Sequence, residues 1–241
     1  MVFVLILKEK GEKENCPKLE RLFDDCNFDW MELSFKNSSR NKQVREALRR
    51  GREITNGPLL VISSKMVTMC TSTRIKSMIN GGLSIIAGDD DCLDMLYLAK
   101  HNDYCQKLRP TSSEKYHKTY HPCGLDAVIF TPTGIAKVLG DEPLIDNIYM
   151  YEEDDLEEEI PDLIHDGYLA AVATYIDIFE YDIHHHSHSA CDYKKWNKCA
   201  PLQRKPQKIE TTGISGIVYI SLIIIIILIV AWALLYIGPR G

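Results

Sequence analysis

The stretch Gly124-Leu-Asp-Ala-Val-Ile-Phe-Thr-Pro-Thr-Gly-Ile-Ala-Lys-Val-Leu139 contains a buried strand that leads directly into a helix. Four consecutive apolar residues, Ala127–Phe130, are typical of a strand that is covered on both faces. Thr131 has a side-chain oxygen that can cap the next helix, Pro132 suits its first position, and Gly140 suits its end. A strand followed at once by a helix is the repeating unit of an α/β domain.

Short apolar runs alternate with amphipathic helical patterns on both sides of this stretch. The chain begins with the buried-strand run Val2–Leu7, and a helix follows over Cys16–Cys26 with its apolar residues on one face. The alternation predicts one α/β domain over residues 1–183 with a mostly parallel sheet. The remaining predicted elements are the strands Phe28–Phe35, Leu59–Ile62, Leu83–Ile86, Met95–Leu98 and Ile176–Ile183, and the helices Arg40–Glu53 and Pro161–Tyr175.

The C-terminal part of the chain contains its longest apolar stretch. No residue is charged between Ile214 and Ile237, and the centre of this stretch is the run Leu222–Val230. About 20 apolar residues, or roughly 30 Å of helix, cross a bilayer core. The sequence therefore predicts one transmembrane helix over residues 214–237, followed by a short tail over 238–241, which is the arrangement of a tail anchor.

The charges beside this helix predict its orientation. Basic residues crowd the end of the polar linker 184–213, between Lys194 and Lys208, whereas only Arg240 follows the helix. Basic flanks stay cytoplasmic, so we expect a single-pass membrane protein with a cytosolic N-terminal domain and the lipid bilayer as a partner. The apolar run Val2–Leu7 is too short for a secretory signal, and no basic residue precedes it.

The composition of the chain bears on two further questions, whether it binds nucleic acid and whether its cysteines form disulfides. The net charge of −6 gives no reason to expect a nucleic-acid partner. The 8 cysteines show no compact disulfide spacing, and a cytosolic domain keeps its thiols reduced. We therefore expect free, mostly buried cysteines.

A set of segments, taken in order, carries a resemblance to a known enzyme family. They are the strand Val2–Leu7, the helical segment Lys18–Leu22, the strand Pro58–Ile62, the strand Asp94–Leu98 and the strand–helix stretch Gly124–Leu139. Their order resembles that of the family-25 glycosyltransferases, which include bacterial lipopolysaccharide-type and procollagen galactosyl enzymes. The resemblance extends over residues 2–180 and implies a GT-A-like nucleotide-sugar-transferase fold around a mostly parallel sheet.

The chain departs from this family at the metal site. In the family, the strand that matches Leu59–Ile62 ends in Glu-Asp-Asp, whose carboxylates hold a divalent metal against the donor diphosphate. Ser63-Ser64-Lys65 stands there in this chain. Divalent cations such as Mn²⁺ bind carboxylate oxygens, and two hydroxyls and an ammonium group do not replace them. The resemblance therefore implies a degenerate site with no metal cofactor, although Lys65 could contact a phosphate directly.

Two acidic segments offer other carboxylates. Asp89-Asp90-Asp91 precedes the strand Asp94–Leu98, and Asp90 and Asp91 are candidate catalytic residues there. A turn explains this cluster more simply, because aspartate favours turns and like charges prefer water. Glu152–Glu159 is nearly all acidic and fits a solvated loop or the lead-in to a helix better than a cation site.

A histidine- and cysteine-containing tract follows the last predicted strand. The candidate metal ligands are His184, His186, His188, Cys191 and Cys199. Imidazole and thiolate are good zinc ligands, but their spacing here fits no common zinc pattern. In the family, a histidine after the last strand reaches the donor site, so His184–His188 could instead act there. The favoured interpretation is an exposed linker with adventitious metal affinity, since a closed zinc site needs four placed ligands.

These observations favour a membrane-anchored, glycosyltransferase-like domain that has lost metal-dependent catalysis and acts as a binding or scaffold module. Its expected partners are the bilayer and either a nucleotide sugar or a protein. One alternative is an active glycosyltransferase that uses Mn²⁺ and residues such as Lys65 or Asp90. The other is a structural membrane protein, of a virus for instance, whose likeness to the family is only architectural.

Overall fold

The computed structural model describes residues 2–9, 16–35, 38–88, 93–100, 102–103, 108–181 and 198–199. All of them belong to the unit Met1–Pro201, and the unit Leu202–Gly241 lies outside the described residues. The helices are α1 (Cys16–Asp25), α2 (Arg40–Ile54), α3 (Ser72–Gly88), α4 (Pro132–Leu139) and α5 (Leu156–His165). The strands are β1 (Phe3–Glu9), β2 (Asp29–Phe35), β3 (Leu59–Ser63), β4 (Met66–Val67), β5 (Met95–Tyr97), β6 (Asn102–Asp103), β7 (Arg109–Pro110), β8 (Tyr116–Lys118), β9 (Ala127–Phe130), β10 (Ala171–Thr174), β11 (Glu180–Tyr181) and β12 (Lys198–Cys199).

Eight of these strands form one mixed sheet in the order β2-β1-β3-β9-β5-β10-β8-β7. β1 is parallel to β2 and β3, and β5 is parallel to β10. β9 and β8 are each antiparallel to both of their neighbours. The α/β class is therefore confirmed, and the sheet is mixed: six of its eight strands point the same way, whereas β9 and β8 run opposite to them. A buried strand such as β9 has apolar residues at every position, and this pattern carries no information on strand direction.

Helices cover both faces of the sheet. Successive residues of a strand point to opposite faces, so Val4 and Ile6 pack with α1 and α3, whereas Leu5 and Leu7 pack with α2, α4 and α5. All four of these β1 side chains are fully buried. Burial on both faces explains why the strands read as continuous apolar runs in the sequence.

The predicted strand Leu83–Ile86 is wrong, because these residues form the last turns of α3. Ile75 and Ile79 are fully buried on the same helix, and Leu83 follows at the same four-residue spacing and packs against their cluster. A short apolar run fits a strand or a buried helix segment equally well, so periodicity alone did not separate them.

The C-terminal helix and strand also differ from the prediction. α5 is shorter than the predicted helix Pro161–Tyr175 and ends before Gly167, which has a left-handed φ of 82°. The residues Ala171–Thr174 then form the buried strand β10 between β5 and β8. In the described part of the predicted strand Ile176–Ile183, which ends at Tyr181, the extended residues are Glu180–Tyr181, and they pair with β4.

Four cysteine side chains lie in the described part of the chain, and all four are free thiols. Cys16 and Cys26 are buried, and Cys70 and Cys123 are partly buried. Burial raises the pKa of the Cys16 thiol to about 11, so this side chain behaves as a small apolar residue.

No helix within the described ranges is long and apolar enough to cross a membrane. The predicted span over 214–237 and the tail over 238–241 lie outside those ranges. The linker 184–213 is described only at Lys198–Cys199, which pair with β6.

Candidate functional site

The triplet Ser63-Ser64-Lys65 lies at the point where the strand order of the sheet reverses. The chain passes from β1 to β2 on one side and then to β3 on the other side, with α1 and α2 on opposite faces. Open α/β sheets bind ligands in the crevice at the carboxyl ends of the strands beside such a switch point. The backbone N–H of Ser64 donates to the carbonyl of Leu7 at the end of β1, over 2.9 Å. The topology therefore places the triplet in the expected ligand crevice, which we call the switch-point crevice.

The local geometry fixes the two serines. The N–H of Ser63 donates to the carbonyl of Asp126 over 2.8 Å, and the hydroxyl of Ser63 accepts from the N–H of Lys65 over 3.3 Å. Both serine residues are 1% exposed, whereas Lys65 is partly exposed. Lys65 is thus the charged residue of this triplet, and it is the one that reaches the surface.

These residues do not fit a divalent metal. The triplet has no carboxylate, and the nearby carboxylate of Asp126 pairs with Arg40 over 3.1 Å. In the described ranges, no group of three or more His, Cys, Asp and Glu residues could hold a metal ion. Hydroxyls beside an ammonium group are poor ligands for Mn²⁺, which is bound through oxygen anions.

The other predicted site residues lie outside the described residues. These are Asp89-Asp90-Asp91 and the tract members His184, His186, His188 and Cys191. For Cys199 the structure describes the backbone, which pairs with Asp103 in a two-stranded ladder, but not the side chain. Whether any of them binds a metal or a substrate stays a prediction. The acidic run Glu152–Glu159 behaves as the predicted helix lead-in, since Asp155 caps the first turn of α5.

A cavity of about 620 Å³ opens at the same edge of the sheet. One wall is the first half of α3 with Cys70 before it, and the other comprises Glu114, Lys115 and the segment Tyr175–Ile178 after β10. We call it the carboxyl-edge cavity. Its volume is in the range of small-molecule pockets, about 300–1,000 Å³. Tyr175 and Ile176 at its wall are 53% and 66% exposed, so the cavity has an apolar rim.

A buried lysine–histidine–aspartate cluster lies beside this cavity and was missed from the sequence. The Nζ of Lys100, just after β5, lies 3.0 Å from the Oδ2 of Asp103 and 2.7 Å from the Nε2 of His117. The His117 ring packs against the Tyr175 ring of the cavity wall, with the ring centroids 4.8 Å apart and the planes tilted by 53°. No spacing rule signals this cluster, because it depends on the pairing of β8 with β10 and of β10 with β5.

The electrostatics of this cluster keep His117 neutral. Burial and the adjacent Lys100 ammonium lower the pKa of His117 to about 4, against a smaller opposing effect of Asp103. A neutral ring can accept the hydrogen bond from Lys100 at its Nε2. Tyr97 on β5 and His117 on β8 are both in register with Ala173 on β10, which lies between them. Burial also raises the pKa of the Tyr97 hydroxyl well above its ordinary value. The Nδ1 of His117 and the Tyr97 hydroxyl have no hydrogen-bond partner among the described residues.

Three neighbouring side chains, a cysteine, a histidine and an aspartate, are the residue types found in sites with a thiol nucleophile. The Nε2 of His121 lies 2.8 Å from the Oδ1 of Asp162, and its Nδ1 lies 3.9 Å from the Sγ of Cys123. A nucleophile and its base normally lie within about 2.6–3.2 Å of each other. At the longer distance seen here, this group is better described as a loop contact that holds residues 121–123 against α5.

Proteins similar to this chain are found among solved structures. No protein-family model matches the chain, and no curated protein does. The family-25 resemblance therefore stays a prediction. Three similar solved structures follow.

The crystal structure of A197 from STIV has 14% identity and a TM-score of 0.41, and the match covers 75% of this chain and 84% of that one. Apo UDP-glucose pyrophosphorylase has 11% identity and a TM-score of 0.39, with 74% of each chain covered. A glycosyltransferase involved in the glycosylation of the major capsid of PBCV-1 has 9% identity and a TM-score of 0.38, with coverage of 72% and 94%. At these scores the likeness does not establish a common activity.

Proposed function

We propose that this chain is a membrane-anchored, glycosyltransferase-like module that binds a nucleotide sugar in the switch-point crevice without metal-dependent catalysis. The observation that carries the proposal is the position of Ser63-Ser64-Lys65. The triplet lies in the crevice where the topology of the sheet favours ligand binding, yet it offers hydroxyls and an ammonium group instead of carboxylates.

The charge of Lys65 supports binding of the diphosphate without a metal. A lysine ammonium is a point charge that binds phosphate oxygens, and such charge-assisted hydrogen bonds are about twice as strong as neutral ones. The carboxyl-edge cavity has the volume to hold the nucleoside or sugar part of the ligand, and the exposed ring of Tyr175 offers it an apolar surface. The attachment to a membrane rests on the apolar stretch over 214–237 and its basic N-terminal flank.

The test measures UDP-glucose binding to the full chain in detergent, with and without Mn²⁺. We expect saturable binding that Mn²⁺ does not strengthen, and no release of UDP. Lys65→Met should weaken binding about tenfold or more, because it removes the charge from the crevice but keeps the length of the side chain. Lys42→Met, an exposed position on α2, is the matched control and should leave binding unchanged.

The outcomes separate the alternatives. Mn²⁺-dependent hydrolysis or transfer by the unaltered chain would overturn the degenerate reading in favour of an active glycosyltransferase. If UDP-glucose does not bind with or without Mn²⁺, the nucleotide-sugar proposal fails and a scaffold role is the remaining alternative. Restoring the family motif with Ser63→Glu, Ser64→Asp and Lys65→Asp should create Mn²⁺-dependent binding. Because both serines are buried, that variant should be less stable without metal.

A further inference from the structure

A short loop between α4 and α5 carries a cluster of exposed apolar side chains. Ile145, Ile148, Tyr149 and Tyr151 are 46%, 51%, 39% and 67% exposed. Elsewhere in the described ranges, exposed large apolar residues occur singly or beside the carboxyl-edge cavity. A contiguous exposed apolar cluster marks a surface that another molecule covers. We call residues 144–151 the apolar hairpin.

Hydrogen bonds and buried ends hold the apolar hairpin in one conformation. The N–H of Leu144 donates to the carbonyl of Ile148 over 2.7 Å, and the N–H of Ile148 donates to the carbonyl of Ile145 over 2.8 Å. Asp146 makes the tight turn with a φ of 45°. Leu144 and Met150 are buried in the core that α2, α4 and α5 cover. A loop that is already ordered loses little entropy when it binds, so this hairpin is suited to recognition.

The carboxyl-edge cavity is the concave counterpart of this hairpin. Its wall includes the exposed apolar side chains of Tyr175 and Ile176, and its volume of about 620 Å³ leaves room for the side chains of a hairpin tip. Met78 and Ile178, which also line it, pack with α1 and α3 on the opposite face of the sheet from the hairpin. The hairpin therefore cannot enter the cavity of its own chain, but it can enter that of a second copy.

The charges of the two surfaces favour this pairing. Exposed carboxylates lie at the tip of the hairpin and on both of its flanks, namely Asp146, Glu142 and Glu153. The exposed charged side chains at the cavity are two cations, Arg74 and Lys115, and one carboxylate, Glu114. An acidic hairpin thus meets a rim with more positive than negative charge, whereas two hairpins facing each other would bring like charges together.

We propose that the apolar hairpin of one copy inserts into the carboxyl-edge cavity of a second copy. Ile148 then packs against Tyr175 and Ile176 of the second copy. Because the two surfaces differ, each pair leaves one hairpin and one cavity free, and the assembly can grow head to tail. The proposed function places part of a nucleotide sugar in the same cavity, so the two occupants exclude each other. The self-association itself does not depend on nucleotide-sugar binding.

The test is analytical ultracentrifugation of the full chain in detergent, without nucleotide sugar. We expect the average mass to rise with protein concentration. Ile148→Asp should weaken the association about tenfold or more, and Ile176→Asp should do the same, because each puts a charge into the apolar contact. Both side chains are exposed, so the fold should persist, and circular dichroism checks this. Ile54→Asp, at an isoleucine of 45% exposure at the end of α2, is the matched control and should change nothing.

Mixing the two variants tests the head-to-tail geometry. Ile148→Asp keeps an intact cavity and Ile176→Asp keeps an intact hairpin, so an equimolar mixture should form a complex of two chains and nothing larger. Glu114→Lys should tighten the association of the otherwise unaltered chain, because it adds positive charge to the rim.

Three results would overturn the proposal. If the mass of the unaltered chain does not rise with concentration, the hairpin binds a different partner. If the chain associates equally well with Ile148→Asp, another surface, such as the stretch 214–237, holds the copies together. If the mixture of the two variants does not associate, the hairpin and the cavity do not form the contact.

Discussion

A hydrogen-bond network of three polar side chains lies at the carboxyl edge of the sheet. Lys100 donates to the neutral ring of His117 and to the carboxylate of Asp103, so one ammonium group satisfies two buried acceptors. The other carboxylate oxygen of Asp103 accepts from the backbone N–H groups of Tyr120 and His121 over 3.3 and 3.0 Å. This network ties the end of β5 to the loop after β8. Its charge balance depends on His117 remaining unprotonated.

His117 should therefore make the domain sensitive to acid. Its pKa is about 4 in the folded state and about 6.5 when unfolded, so the unfolded chain binds the proton first. Stability should fall as the pH drops from 6.5 towards 4, by up to about 1.4 kcal/mol per pH unit. His117→Gln should flatten this part of the profile, measured by urea unfolding of the full chain in detergent. Equal slopes in the two proteins would mean that His117 takes up its proton without cost, contrary to its burial beside Lys100.

At the scale of helices and strands, prediction from sequence worked where a residue marks the end of an element. Thr131 and Gly140 bound α4 as predicted, with the Thr131 hydroxyl accepting from the Gly134 N–H and Gly140 at a φ of 77°. It failed where a short apolar run had no such marker, as at Leu83–Ile86 in α3. The order of strands and the direction of β9 depend on pairing between distant segments, which local patterns do not contain.

The same limit applies to the candidate site. The triplet Ser63–Lys65 could be found because it lies at the end of a recognisable strand. The Lys100–His117 cluster could not, since its members meet only through the antiparallel pairing of β8 with β10.

The packing of α4 on β5 leads to a prediction for Gly134. A Cβ atom at this position would collide with the backbone carbonyl of Asp94, which cannot rotate away. Gly134→Ala should therefore destabilise the domain by about 1–3 kcal/mol, the usual effect of overpacking, in urea unfolding. Gly167→Asn is the control, because asparagine tolerates a left-handed φ and a Cβ there has nothing within 4 Å. A loss in Gly167→Asn as large as in Gly134→Ala would contradict the steric explanation.

For the whole molecule, the sheet separates two different chemical environments. The carboxyl edge has a cavity with an apolar rim and a crevice with one partly exposed lysine, whereas the amino edge has a cavity lined by polar and charged side chains.

The orientation of the full chain can be tested by glycosylation in a eukaryotic cell. Asn37-Ser38-Ser39 is an acceptor triplet in the N-terminal domain, and we expect it to carry no glycan because the basic flank of 214–237 predicts a cytosolic domain. An acceptor tag added after Gly241 should carry a glycan if the proposed transmembrane helix carries it across the bilayer. The measurement is the mass shift that a glycosidase removes, with Asn37→Gln as the control. A glycan on Asn37 and none on the tag would place the domain in the lumen. The free thiols of Cys70 and Cys123 would then meet an oxidising compartment.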